Sequence, residues 1–151
     1  DLLPETVARL ADLPNIIGIK EATGDVSRIE QINALCNTKL ELYTGEDANT
    51  VDFIVAGGQG VISVTANVAP AGMHDMCAAA LEGNIVRARQ INNDLALLHQ
   101  SLFVEANPIP VKWALTEMGK IPPGIRLPMT VLSERYHQPV RDALAAASVL
   151  N

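Results

Sequence analysis

Short apolar, β-branched runs alternate with amphipathic helical segments through the first 83 residues of the chain. The runs at 15–20, 40–44 and 61–65 are too short for helices but long enough for buried parallel strands. Apolar residues recur at helical spacing in 4–13, 26–36, 48–56 and 71–81. Strands and helices that alternate over short loops favour a parallel sheet with right-handed crossovers. We therefore predict an α/β fold.

The strand pattern stops near residue 84. A long helix is predicted at 88–102, a second from Pro110 to Gly119, and a third that begins between Ser133 and Gln138. A complete (β/α)₈ barrel takes ~250 residues, and the leading helix 4–13 implies a strand upstream of it. We therefore predict that residues 1–83 are the last βα units of a TIM barrel, and that 84–151 form an all-helical C-terminal domain.

Composition excludes several classes of partner. The net charge of −6 and an aromatic content of 3% argue against nucleic acid, which is bound through basic and stacking side chains. Every apolar stretch is much shorter than the ~20 residues of a membrane span, and the chain does not open with a targeting segment. We therefore expect a cytoplasmic protein without a membrane partner, in which Cys36 and Cys77 are buried free thiols.

Lys20 is the residue whose position suggests chemistry. It ends the first predicted strand, and active sites of (β/α)₈ barrels lie at the carboxyl ends of their strands. Strand alternation puts Gly18 on the same face, where we expect it to leave room for the lysine stem, with Ile17 and Ile19 on the other face. Apolar walls would favour the neutral amine, which attacks carbonyl groups to form a Schiff base.

A plain structural explanation exists for the same lysine. Its amine could reach solvent, or it could pair with Glu21 or Asp47. Position alone does not separate this interpretation from the catalytic one.

Three octets in order carry a family resemblance. Residues 18–25 (GIKEATGD), 60–67 (GVISVTAN) and 107–114 (NPIPVKWA) resemble three successive signatures of the dihydrodipicolinate synthase family. The resemblance implies that Lys20 forms a Schiff base with pyruvate and that the backbone at Ile62 contacts the bound pyruvate. It also implies that Gly45 and Glu46 line the pocket for L-aspartate 4-semialdehyde, although the family often has Asp at the position of Glu46.

The resemblance also implies what this chain does not carry. In the family, the threonine pair for the pyruvate carboxylate, the tyrosines that relay protons and an arginine for the aldehyde substrate all precede the part matched here. The isolated 151 residues are therefore expected to show negligible turnover. The parent protein is expected to be a homo-oligomer, because the family is commonly tetrameric.

Two alternatives stay open. A sibling 2-keto-acid aldolase such as N-acetylneuraminate lyase would share the lysine and the barrel. A non-catalytic folding or assembly module would instead use the unpaired edges of an open half barrel.

Other features have structural explanations. The glycine-rich stretch 57–60 lies between a helix and a strand, so we interpret it as a turn and not as a phosphate loop. No cofactor or metal is predicted, since the lysine itself is the electron sink and the histidines lack partners at ligand spacing. The three histidines are His74, His99 and His137. We expect Arg87, Arg89 and Arg141 to be solvated, and Trp113 to lie in the core or a subunit contact.

Overall fold

The computed structural model describes residues 1–37 and 39–150. By internal contacts they form two compact units. The first contains Asp1–Ser63 and Cys77–Ile85, and the second contains Val64–Met76 and the chain from Val86 onward. The predicted division at residue 83 stays a prediction.

The first unit is built on three parallel strands in the order β1-β2-β3, as the alternating pattern predicts. The strands are β1 (Gly18–Glu21), β2 (Glu41–Thr44) and β3 (Gly60–Val61). The helices before, between and after them are α1 (Pro4–Leu10), α2 (Arg28–Cys36), α3 (Thr50–Val55) and α4 (Pro70–Leu81). Of these four helices, only α4 has its residues divided between the two units.

The two faces of this sheet differ. One face, which we call the covered face, carries Ile19, Glu21, Leu42 and Thr44, and packs against a core from α1, α2 and α3. Core residues of these helices and the adjoining loop are Val7, Ile29, Ile32, Cys36, Leu40 and Phe53. The other face, which we call the open face, carries Lys20, Glu41, Tyr43 and Gly45. None of these four residues is buried within the described part of the chain.

All three strands are shorter than predicted, β2 by the one residue Leu40. The first begins only at Gly18, so strand alternation does not reach Ile17, which is 71% exposed. The prediction that Ile17 faces the helices together with Ile19 is therefore wrong, and Ile16 packs against the core in its place. The third strand ends at Val61, because its pairing with β2 stops at Thr44.

The second unit is helical in its regular elements. It contains α5 (Ile85–Ser101), α6 (Ile109–Glu117) and α7 (His137–Ala146), close to the predicted segments, and α7 starts inside the predicted interval. Three-residue 3₁₀ helices cover Thr65–Asn67 and Glu134–Tyr136.

Arg141 of this unit is not simply solvated as predicted. Its Nε donates to Glu117 Oε2 at 2.6 Å, and its guanidinium lies 5.1 Å from the centroid of Trp113. The Trp113 ring also stacks on His137, with centroids 4.5 Å apart. The Arg141 guanidinium of α7 and the Trp113 indole of α6 are thus held together by packing between two helices, which the periodicity of either helix does not encode.

Candidate active site

Lys20 lies one residue before the carboxyl end of β1. It is level with Tyr43 of β2, which is itself level with Gly60 of β3. Parallel strands that are level present side chains to the same face, so Lys20 and Tyr43 both project from the open face. The lysine therefore lies at the sheet edge where barrel enzymes assemble their sites.

Gly45 makes room for the lysine stem. A Cβ added at Gly45 would lie 2.7 Å from Lys20 Cε and 3.0 Å from Ala22 Cβ, closer than side chains pack. The Gly45 N–H donates to the Glu21 carbonyl at 2.6 Å, which holds this residue beside the end of β1. Gly45 and Lys20 were predicted as parts of one site, and the structure brings them into contact.

Gly18 does not have the role predicted from the sequence. A Cβ at this position would lie 2.7 Å from the Glu41 carbonyl oxygen, so the residue is small because β2 approaches it closely. The prediction that Gly18 leaves space for Lys20 is wrong, since Gly45 provides that space.

The surroundings of Lys20 are open. The lysine is exposed, so the apolar walls expected around it are not supplied by residues 1–37 and 39–150. Within the same residues it forms no ion pair, and Glu21 points to the covered face. Pairing of Lys20 with Glu21 is therefore excluded in this structure. The solvent exposure of Lys20 is what the structural interpretation, a surface lysine, predicts. The contact of its side chain with Gly45 is not required by that interpretation and favours the catalytic one.

Glu21 anchors the strand end from the covered face. It is 5% exposed, accepts a hydrogen bond from the Thr23 N–H at 2.7 Å, and pairs with Arg28 Nε at 2.8 Å. Burial acts to raise the pKa of Glu21, but hydrogen bonds from Thr23 and Arg28 outweigh it and the pKa lies below its usual value. Arg28 also pairs with Asp1 at 2.9 Å. Sequence reasoning missed this network, although an acid and a base seven residues apart around a strand end were visible.

The loops after β1 and β2 are tied together. Asn49 Nδ2 donates to the Gly24 carbonyl at 3.2 Å, and Thr44 Oγ1 donates to Asn49 Oδ1 at 2.9 Å. The Glu46 N–H donates to Thr44 Oγ1 at 3.0 Å, while the Glu46 side chain is exposed. Glu46 therefore sits in an ordered loop beside Gly45 with its carboxylate available to a ligand.

Ile62 follows β3 directly. Its N–H donates to the Thr44 carbonyl at 2.9 Å, and its side chain is 51% exposed. Lys20, Gly45, Glu46 and Ile62 thus all lie at the carboxyl edge of one sheet, on neighbouring strands.

Tyr43 lies one layer below this edge. Its hydroxyl donates to Glu41 Oε2 at 2.8 Å, and this hydrogen bond raises the pKa of Tyr43 above its usual value. Sequence reasoning placed Tyr43 in a strand but gave it no function.

The remaining candidates lie elsewhere. Residues 57–59 turn the chain from α3 into β3, as predicted, and Gly60 is already the first residue of that strand. The Gln59 side chain accepts a hydrogen bond from the Leu42 N–H at 2.5 Å. In the second unit His99 is buried between Thr65, at 2.8 Å, and Asn92, at 3.2 Å. Among the described residues, groups of three or more His, Cys, Asp or Glu suited to a metal ion do not occur.

The surroundings of both cysteines disfavour the thiolate form. Cys36 is buried as predicted, whereas Cys77 is only partly buried. Burial raises the pKa of each thiol, so the thiolate form is disfavoured.

Over the described residues, the helices are all too short or too polar to cross a membrane.

Comparisons with known proteins agree on one family. The model of the dihydrodipicolinate synthetase family matches residues 1–147. The chain is 59% identical over 149 residues to the 4-hydroxy-tetrahydrodipicolinate synthase of Thioalkalivibrio sulfidiphilus, covering 99% of this chain and 51% of that protein. It is 60% identical over 150 residues to the enzyme of that name from Nitrosococcus oceani, again covering 99% and 51%.

Solved structures of lower sequence identity have closely similar folds. The chloride-inhibited dihydrodipicolinate synthase of Acinetobacter baumannii, complexed with pyruvate, matches with a TM-score of 0.95 and 49% identity, covering 99% of this chain and 52% of that one. A monomeric dihydrodipicolinate synthase variant matches with a TM-score of 0.94 and 41% identity, covering 99% and 51%. The chain therefore spans about half the length of the relatives it matches.

Proposed function

The chain belongs to the dihydrodipicolinate synthetase family, and from that premise we propose that it carries the Schiff-base half of a 4-hydroxy-tetrahydrodipicolinate synthase site. The parent enzyme would condense pyruvate with L-aspartate 4-semialdehyde on the route to diaminopimelate and lysine. The observation that carries this proposal is the contact between Lys20 and Gly45 at the carboxyl edge of a parallel sheet.

Lys20 supplies the chemistry in this proposal. The neutral amine attacks C2 of pyruvate, a C–N bond forms, and the carbonyl oxygen leaves as water. The iminium then withdraws electrons from C3, which loses a proton and becomes an enamine. Its C3 attacks the aldehyde carbon of the second substrate, whose oxygen takes up a proton and becomes the 4-hydroxyl group. The amino group of that substrate then displaces the lysine nitrogen at C2, which closes the ring of 4-hydroxy-tetrahydrodipicolinate and returns the free lysine. The lysine acts as the electron sink, so the proposal requires no metal or organic cofactor.

Ile62, Gly45 and Glu46 would contact the substrates. Because the Ile62 N–H is engaged by the Thr44 carbonyl, a backbone contact with pyruvate would use the Ile62 carbonyl. The exposed Glu46 carboxylate, in the loop that begins at Gly45, would face the amino group of the aldehyde substrate. The adjacent loops tied by Asn49 support this arrangement, since they hold the rim of the site in one conformation.

We further propose that the chain corresponds to the C-terminal half of the family's fold, with helices after the last strand forming the helical domain. Two observations support this proposal. The chain covers about half of each relative, and none of the open-face residues Lys20, Glu41, Tyr43 and Gly45 is buried within the described part of the chain. The parent would be a cytoplasmic homo-oligomer. The isolated chain would show negligible synthase turnover, since Lys20 is exposed to water and other substrate-binding groups lie on the other half.

Borohydride trapping tests the assignment of Lys20. The chain is incubated with pyruvate, reduced, and mapped by peptide mass spectrometry. We expect one adduct, on Lys20, that is lost in Lys20→Arg. The matched control is Lys39→Arg, because Lys39 is an exposed lysine of the same unit, paired with Asp12 at 2.9 Å, and this change should leave labelling intact. An adduct elsewhere, with none on Lys20, would overturn the proposal.

Turnover assays separate the remaining alternatives. Pyruvate is supplied with L-aspartate 4-semialdehyde or with N-acetylmannosamine, first to a preparation whose intact mass matches this chain and then to the full-length parent enzyme. Normal synthase activity of the chain alone would contradict the proposed incompleteness. Turnover of the parent enzyme with N-acetylmannosamine alone would replace the synthase by a sibling aldolase.

A further inference from the structure

Asn49 occupies a position where an asparagine usually caps a helix. It is the last residue of the 3₁₀ helix Asp47–Asn49 and directly precedes α3. At such a position the side-chain oxygen commonly accepts a hydrogen bond from the backbone of the first helical turn. The Asn49 side chain makes no such bond. Its carboxamide therefore binds elsewhere.

Both ends of this carboxamide bind atoms outside α3. Asn49 Nδ2 donates to the carbonyl of Gly24, 25 residues earlier, at 3.2 Å. Asn49 Oδ1 accepts from Thr44 Oγ1 at 2.9 Å. The orientation of the amide is determined, because a backbone carbonyl can only accept and must therefore face the nitrogen. Asn49 thus joins the loop after β1 to the last residue of β2.

The hydroxyl of Thr44 transmits this restraint to Glu46. It donates its one hydrogen to Asn49, and its oxygen accepts the Glu46 N–H at 3.0 Å. Thr44 is 1% exposed, so water does not replace either partner. Without Asn49 the buried hydroxyl would keep an unused donor until the side chain turned towards another acceptor. A turn about the Cα–Cβ bond would carry its oxygen away from the Glu46 N–H.

The restraint acts on the backbone of the residue that is proposed to meet the second substrate. The Glu46 side chain is exposed, so the direction of its carboxylate depends on how its own backbone is held. We propose that Asn49, acting through Thr44, is a positioning residue that aims the Glu46 carboxylate at the amino group of the aldehyde substrate. This inference rests on the proposed function of Glu46, and it adds a residue that does not itself contact a substrate.

Four variants make the test, each in the 151-residue chain and in the full-length parent enzyme. Asn49→Leu removes both hydrogen bonds of the carboxamide at similar volume. Thr44→Val removes the hydroxyl but keeps the branched shape that suits a strand. The third variant combines these two substitutions. The control, Asn33→Leu, makes the same change at another half-buried asparagine of the first unit, in α2.

The variants are expected to fold. The Glu46 carbonyl also accepts from Thr50 Oγ1 at 3.3 Å, and this contact does not involve Asn49. If Asn49→Leu did not fold, Thr44→Val would decide in its place, because it breaks the same connection to Glu46.

Two quantities are measured. Hydrogen exchange of the Glu46 N–H, followed by nuclear magnetic resonance of the 151-residue chain, reports on the restraint without any substrate. In the parent enzyme, kcat and the KM for each substrate are measured with pyruvate and L-aspartate 4-semialdehyde. A purely structural defect would lower kcat or the amount of folded enzyme, and would not single out one substrate.

We expect the Glu46 N–H to exchange on the order of tenfold faster in Asn49→Leu and in Thr44→Val. KM for the aldehyde should rise on the order of tenfold, because the charged contact with Glu46 is misdirected. KM for pyruvate and kcat should stay within about twofold. The double variant should match either single variant, since both residues act on one hydrogen bond. Asn33→Leu should equal the wild type in every quantity.

The outcomes separate this inference from the proposed function. Unchanged exchange of the Glu46 N–H in Asn49→Leu overturns the role of Asn49, whatever the activity. Faster exchange with an unchanged KM for the aldehyde also rejects the inference, because the restraint would then not serve substrate binding. Effects of the single variants that add in the double variant reject action through Thr44. If the wild-type parent enzyme does not turn over the aldehyde, the proposed function fails, and the aim assigned to Glu46 fails with it even where Asn49 holds the loop.

Discussion

The covered and open faces of the sheet are made by alternate residues of the same strands, yet they have different composition and burial. On the covered face Leu42 is 1% exposed and Thr44 is also 1% exposed, whereas Lys20 on the open face is exposed. The carboxylates of Glu21, on the covered face, and Glu41, on the open face, also differ in burial and in partner. Glu21 is buried and paired with Arg28, while Glu41 is exposed and bonded to Tyr43.

This difference separates stability from chemistry. The covered face excludes water from apolar side chains, which is the main source of folding free energy. The open face carries an amine, a phenol and a carboxylate, with Gly45 providing the space that lets Lys20 lie across β2. We therefore expect substitutions on the covered face to change the free energy of unfolding, and those on the open face to change the reactivity of Lys20.

The largest effect on stability should come from Phe53→Ala. Phe53 is 1% exposed in the core of the covered face, and truncating such a ring costs about 3–5 kcal/mol through lost burial and a cavity. Urea unfolding followed by circular dichroism measures the loss. Tyr43→Ala on the open face is the control and should cost about 1 kcal/mol. Equal losses would show that the two faces contribute alike.

Arg28→Gln should follow at about 3 kcal/mol, because it leaves the Glu21 carboxylate buried beside an uncharged partner. Arg28 and Glu21 are 11% and 5% exposed, so water cannot replace the pair. The control is Asp12→Asn, which breaks the exposed pair with Lys39 and should cost under about 1 kcal/mol. Similar costs for both variants would argue against the Glu21 anchor.

The same pair predicts a pH dependence. The pKa of Glu21 is lower in the folded chain than its usual value. The stability that its ionised carboxylate adds to the fold is therefore fully present above the unfolded pKa of about 4.3. That contribution is lost as pH falls through the lower folded pKa. The difference in unfolding free energy between wild type and Glu21→Gln should therefore begin to shrink as pH falls below about 4.3 and should keep shrinking towards the lower folded pKa. A constant difference from pH 7 to pH 3 would contradict this linkage.

Sequence patterns predicted the strands, most helices and the place of Lys20 at a strand end, because side-chain period and strand-end position determine these. The place of Gly45 in the same site was implied only by the family resemblance. The patterns did not predict the contacts of Arg28 with Glu21, or of Asn49 with Gly24 and Thr44. Those contacts depend on register and helix placement, which no local period encodes. The mistaken role of Gly18 has the same cause, since its neighbour is the Glu41 carbonyl on another strand.

Two glycine-to-alanine substitutions test the same comparison of faces, with smaller expected losses in the free energy of unfolding. A Cβ at Gly58 would collide with the ring of Phe53 and lie 2.9 Å from the Phe53 carbonyl oxygen, so Gly58→Ala should cost about 1–3 kcal/mol. A Cβ at Gly45 meets the flexible end of Lys20. Gly45→Ala should therefore cost less in urea unfolding, and should slow pyruvate trapping on Lys20. The reverse order of stabilities would contradict the packing described for both glycines.

Lys20→Met should have the smallest effect on stability. The side chain is exposed and forms no ion pair within the described residues, and methionine keeps a similar unbranched stem over Gly45. We expect the free energy of unfolding to stay within about 0.5 kcal/mol of the wild type, while the borohydride-trapped adduct disappears. A loss above about 1 kcal/mol in urea unfolding would show that Lys20 has a structural role. Its place on the open face would then serve folding, and the separation of the two faces would fail at the residue on which the proposed chemistry depends.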